Sequence, residues 1–210
     1  MFWLDLAAFV LALLVNGTIN VGENAEAASR LAVARGGMNP SVWGFGIWGV
    51  IYALFGCAYA GRFATSRLAF PLALSVSWAA NASWLIASTS NAWRTALGFM
   101  VLYVAATLHA LPVLCDSASA PLRLASVGAT LLITWLIPAT LLNVQIVAPS
   151  FAPLLGAAGP WVVILGAGLL LRWLPDEGGP WAVARRVAVV GGAAWALVAL
   201  SGHTGGRRLG

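Results

Sequence analysis

Lysine is absent from this chain: all eleven basic residues are Arg, and together with six Asp and Glu they make up only 8% of 210 positions. So little charge cannot cover a water-facing surface of this size, which excludes a soluble globular domain. Charged runs are missing as well. The Arg residues are scattered between apolar segments, so the net charge of +5 reads as interfacial anchors and topology determinants, with no nucleic acid as partner. Cysteine is nearly absent, and Cys57 and Cys115 both lie in or at the end of apolar segments, which argues for packing thiols over a disulfide framework.

Groups for chemistry are just as scarce. His109 is the only His within an apolar segment, so a pair of axial His ligands for a haem cannot come from one chain. It reads as a hydrogen-bonded packing residue. Asp5, Glu23, Glu26, Asp116, Asp176 and Glu177 fall at segment ends or in loops; no buried carboxylate is expected, proton-driven transport is disfavoured, and the Arg residues read as peripheral. No catalytic constellation and no metal site emerge, so the chain is not expected to be an enzyme. The N-terminus lacks a basic leader region and carries Asp5 instead, which predicts a retained first helix rather than a signal peptide.

What the chain does have is hydrophobicity: 61% of residues are apolar and the mean hydropathy is +0.90. Runs of about 20 apolar residues suit a hydrocarbon core about 30 Å thick, and the chain holds enough of them for five to seven spans. The segments lie at about 2–21, 40–61, 68–88, 95–114, 122–147, 151–173 and 181–200. The alternating ten-residue segments of a barrel are missing. The expected fold is therefore all-α: a polytopic helix bundle integral to a lipid bilayer, with a linker at 22–39 whose Ala and Glu suit a short surface helix.

The segment at 40–61 carries two stripes. Phe45, Trp48, Tyr52, Phe55 and Tyr59 recur at steps of three and four and share one helical face. Gly46, Gly49, Ala53, Gly56 and Ala60 form a neighbouring face almost without side chains, against which a second helix could press. The aromatic face either packs helices or walls a ligand pocket. In the third segment Ser77, Asn81, Trp84 and Ser88 make a polar stripe, and in the fifth Trp135 and Asn143 stand two turns apart with Pro138 between them. An amide at bilayer depth is costly unless it finds a partner. Flat aromatic walls with a few directed amides are the composition of a small-molecule pocket, so Trp48, Tyr52, Asn81, Trp84, Trp135 and Asn143 are the candidate ligand-binding residues.

Three separated patterns carry a family resemblance. Trp48, Tyr52 and Gly56 follow Phe45 and Pro40; Asn81 and Trp84 form N-x-x-W; Trp135, Ala139, Leu142 and Asn143 form W-x-x-x-A-x-x-L-N. In this order and spacing the chain resembles the translocator protein (peripheral benzodiazepine receptor) and tryptophan-rich sensory protein family. Leu131 and Leu132 stand where that family usually has a Pro-Tyr pair. The resemblance implies a five-helix translocator-like core over residues 1–147, with two additional transmembrane helices and a polar tail over 148–210, as in a longer seven-helix branch. It also implies a pocket for porphyrin, haem or another tetrapyrrole, or a similar apolar planar small molecule, and a role as sensor or carrier. The alternative is a structural subunit that uses its Gly-rich faces to form a homo-oligomer or to dock in a larger membrane complex, photosynthetic or respiratory, without ligand transport.

Overall fold

Polar backbone groups at bilayer depth have no water to bond, so an apolar chain must satisfy them within helices. The computed structural model describes residues 2–18, 38, 42–63, 70–175 and 178–201, and every regular element in them is helical. The helices are α1 (Phe2–Thr18), α2 (Ile47–Phe63, entered through a 3-10 turn at Val42–Gly46), α3 (Leu72–Thr89) and α4 (Trp93–Cys115), followed by α5 (Ala120–Val147), α6 (Ala152–Trp173) and α7 (Gly179–Ser201). Each expected segment overlaps one of them. The linker at 22–39 lies outside the described residues except for Met38.

Five of the seven are long and apolar enough to cross a membrane: α2 with its entry turn, α4, α5, α6 and α7. This is the signature of a multi-pass membrane protein. Helix α1 is shorter, at 17 residues. Helix α3 spends its polarity inward: Ser75, Ser77 and Asn81 are all buried.

The packing order forms a ring. Helix α1 lies on α3, α3 on α4, α4 on α5 and α5 on α2, and Phe9 closes the circuit by meeting the rings of Tyr52, Phe55 and Tyr59. Helices α6 and α7 pair with each other outside this ring, both against α5. Helix α5 is thus the hub: 72% of its most apolar stretch is buried, against 22% for α6. Ser119 caps its start by accepting from Leu122 N, and Pro138 sits within it without ending it. Along α5, Thr130 and Thr134 each donate back to the carbonyl four residues earlier at 2.7 and 2.9 Å, which removes the penalty for an unpaired hydroxyl in an apolar interior.

The aromatic face of α2 points inward as expected, with Trp48, Phe55 and Tyr59 buried. The small-residue face does not do what its pattern suggests. Gly49 and Gly56 have no atom within 4 Å of the place a Cβ would occupy, and Gly49, Ala53 and Ala60 are exposed. A stripe of small residues permits close approach without compelling it, and here the ring puts the aromatic face in the core. Close approach occurs elsewhere. A Cβ on Gly128 would lie 2.9 Å from the ring of Phe55, and one on Gly192 would lie 3.0 Å from Leu131 and 3.1 Å from Thr134. Gly49→Leu is therefore expected to leave the monomer's melting temperature within the range of a neutral surface change, about 0.5 kcal/mol. Gly128→Leu should destabilise it by about 1–3 kcal/mol through overpacking. Thermal melting of both variants in one detergent checks the contrast.

Candidate functional site

The interior of the ring is a column of aromatic rings with amides set between them. Trp48 stacks on Tyr52 at 5.7 Å and on Tyr103 of α4 at 6.4 Å between ring centres. Behind it, Asn81 Oδ1 accepts from Asn16 Nδ2 at 3.0 Å and from Tyr52 Oη at 3.3 Å. Asn16 is within α1 and also donates to Ala12 O at 2.8 Å. One oxygen of Asn81 thus ties three helices together. Its Nδ2 and the hydroxyl of Tyr103, which Asn81 adjoins, are both fully buried and make no well-formed hydrogen bond among the described residues.

On the other side of Trp48 lies a small enclosed cavity. Trp48, Trp84, Trp135 and Asn143 all line it, with Met38 and Leu200 among the remaining walls. Four of the six candidate residues, from α2, α3 and α5, therefore converge on one space, while Tyr52 and Asn81 stand behind Trp48. The cavity is small, about 30 Å³, room for one or two waters. The indole N–H of Trp135 is buried and finds no acceptor among the described residues.

The second amide of the pattern is already engaged. Trp84 Nε1 donates to Asn143 Oδ1 at 3.2 Å, and Asn143 Nδ2 donates to Ala139 O at 2.9 Å. The rest of the α3 stripe behaves alike: Ser77 meets Thr107 of α4 at 2.7 Å and Ser88 bonds its own helix at Leu85 O. Ser77, Trp84 and Asn143 thus join helices, and Ser88 is satisfied within its own, in an interior where an unmet donor is costly. Asn143→Leu should leave the Trp84 N–H unpaired and lower stability by about 1 kcal/mol, seen as a drop in melting temperature that Trp84→Phe in the same chain largely restores.

Two walls of the cavity come from parts of the chain that no motif marks. Gln145, fully buried on α5, holds the backbone of Met38 at both ends: Met38 N donates to its Oε1 at 2.8 Å and its Nε2 donates to Met38 O at 3.0 Å. Leu200 is brought in by α7, where Trp195 Nε1 donates to Gly44 O at 2.8 Å and the Trp195 ring meets Trp43 edge-on at 5.3 Å. Gln145 sits two residues beyond Asn143 and carries no periodic signal. Its role depends on where the chain before α2 returns.

A separate polar cluster corrects the expectation about charge. Asp5 is at a helix end, as expected, yet it is only 1% exposed. Its carboxyl accepts from Tyr59 Oη at 2.7 Å and Ser75 Oγ at 3.0 Å, and Tyr59 Oη in turn accepts from Trp78 Nε1 at 3.2 Å. Arg62, also buried, lies over the rings of Phe2 and Phe70 and its charge reaches Asp5. The readable signal was helical phase: Asp5, Phe9, Ala12 and Asn16 recur at steps of four, three and four, one face of α1. The Arg residues are not all peripheral either, since Arg185 is fully buried and reaches Ser126 of α5 at 3.5 Å.

His109 reverses its expected role: it is exposed on α4 and makes no hydrogen bond to the described residues. Cys115 is a buried thiol as expected, whereas Cys57 is exposed. Among the described residues, no three His, Cys, Asp or Glu side chains come together as metal ligands would. Among the described residues the interior offers flat aromatic surface and a buried indole N–H without an acceptor, with no nucleophile or acid–base pair lining the cavity. Comparison with family models, curated proteins and solved structures finds no match to this chain.

Proposed function

We propose that the chain is an integral membrane ligand-binding protein, a sensor or carrier of the tryptophan-rich sensory type, with its site at the cavity between Trp48, Trp84 and Trp135. The observation that supports this reading is the convergence of Trp48, Trp84, Trp135 and Asn143 from three helices on one space, where Trp135 also carries a buried indole N–H with no acceptor among the described residues. A buried donor without a partner costs about 1–3 kcal/mol, a cost that a ligand carbonyl or carboxylate would relieve. The ligand class is a planar apolar molecule with an acceptor at one edge, a tetrapyrrole among them. At about 30 Å³ the cavity is far below the 300–1,000 Å³ of ligand pockets. Entry would therefore require Met38 and Leu200 to swing away.

That same volume favours a second reading, in which the aromatic column is filled core and the chain is a structural subunit of a homo-oligomer or larger membrane complex. Titration of the detergent-solubilised chain with protoporphyrin, read by tryptophan fluorescence, separates the two. A ligand-binding protein gives saturable quenching, weakened about tenfold by Trp135→Phe, which keeps the ring and removes the N–H. Linear, non-saturating quenching in the wild type supports the structural reading instead.

A further inference from the structure

A wide concavity lies on the outside of the molecule. Helices α4 and α6 both pack on α5 but not closely on each other, and between them they leave a groove of about 1060 Å³. Its floor is one face of α5, formed by Ile133, Ile137 and Thr140. Val101, Val104 and Leu108 of α4 form one bank, and Leu169 of α6 belongs to the other. The spacing in each helix is three or four, so three apolar stripes meet lengthwise. Thr140, a polar lining residue, turns its hydroxyl back to Leu136 O at 2.7 Å, and the groove wall offers no free hydrogen-bonding group along its body.

One end is different. Arg172 and Trp173, in the last turn of α6, border the groove there. Both are exposed, and Arg172 makes no hydrogen bond or ion pair with any described residue. Trp beside Arg at a helix end marks the membrane–water boundary, where the ring sits at headgroup level and the guanidinium reaches for phosphate. The flanking surface is apolar, with Val101 57%, Leu165 66% and Leu169 68% exposed, so in a bilayer the groove opens to hydrocarbon. An empty groove there would forfeit dispersion contacts along its whole length.

We propose that this groove is a binding site for one anionic phospholipid, with an acyl chain lying along the α5 face and the headgroup phosphate on Arg172. The apolar body and the single cation at one end match that amphiphile and reject a ligand with polar groups along its length. A basic residue bordering a crevice between membrane helices is the known chemistry of acidic headgroup capture. The site is independent of the interior cavity.

The test is native mass spectrometry of the full chain in a non-ionic detergent, titrated with phosphatidylglycerol and, separately, with phosphatidylcholine of the same chains. One phosphatidylglycerol should be retained, about fivefold more tightly than phosphatidylcholine, which corresponds to about 1 kcal/mol for one cation near a lipid headgroup. Arg172→Gln, an exposed position, should erase that preference while leaving weak retention of both lipids. Ala105→Phe, which fills the groove from its exposed α4 bank, should reduce retention of both. Inorganic phosphate should not compete, since the chain supplies most of the contact. Equal retention of the two lipids by the wild type, an unchanged preference in Arg172→Gln, unchanged retention in Ala105→Phe, or a dimer that excludes lipid would each overturn the assignment.

Discussion

Replacing Asp5 with Leu should destabilise the chain more than any other single change considered, by about 3 kcal/mol or more. The carboxyl is 1% exposed and accepts two hydrogen bonds. Its loss strands the hydroxyls of Tyr59 and Ser75 and removes the counter-charge within reach of the buried Arg62. Each buried hydroxyl left without its acceptor costs about 1–3 kcal/mol, because it stays desolvated. Asp5→Asn keeps one acceptor oxygen and should lie between Leu and wild type. Thermal unfolding of both variants in detergent is the measurement, with a fall in midpoint on the order of 10 °C for Leu. If Asp5→Leu melted with the wild type, the cluster would have no role in holding α1 to α2 and α3.

Gln145→Leu is the second. The side chain is fully buried and makes both of the hydrogen bonds recorded for the Met38 backbone. Leu matches its volume but strands a buried N–H and a buried C=O, each at about 1–3 kcal/mol, so a loss of about 2–4 kcal/mol is expected. A second readout separates local release from global weakening. Amide hydrogen exchange at Met38 should accelerate far more than exchange along α5, since among the described residues the Gln145 clasp supplies the hydrogen bonds to that backbone. Unchanged protection at Met38 would show that the packing of its side chain against α6 suffices.

Much of the architecture was readable because membrane helices announce themselves by length and composition. The segments around α2, α4, α5, α6 and α7 are runs of apolar residues that no water-facing fold could hide, and each is a spanning-length helix. The aromatic stripe of α2 was readable too, since 3.6-residue periodicity places Phe45, Trp48, Tyr52, Phe55 and Tyr59 on one side whatever surrounds the helix. Which side faced inward was another matter. The glycine stripe beside it has the same periodicity and an equally good packing rationale, yet Gly49 and Gly56 meet nothing.

The candidate site divides in the same way. The types of residue in it, three indoles and two amides at helical spacing, were evident from residue chemistry alone. That Asn143 is engaged by Trp84, that Asn81 instead gathers Asn16 and Tyr52, and that the resulting cavity is about 30 Å³ depend on which helix neighbours which. Asp5 shows why. Its position at a helix end predicts exposure, but α1 meets α3 in such a phase that Ser75 and Tyr59 close over it.

By itself, then, the sequence determined the class of solvent, the helices and the faces they present, because these follow from transfer free energies and from periodicity within one segment. Only the tertiary structure decided which faces are buried, which polar groups are paired and where space remains. Those outcomes belong to pairs of helices: a hydrogen bond or a void depends on two segments far apart in the chain arriving at the same depth and rotation, and no single segment encodes both.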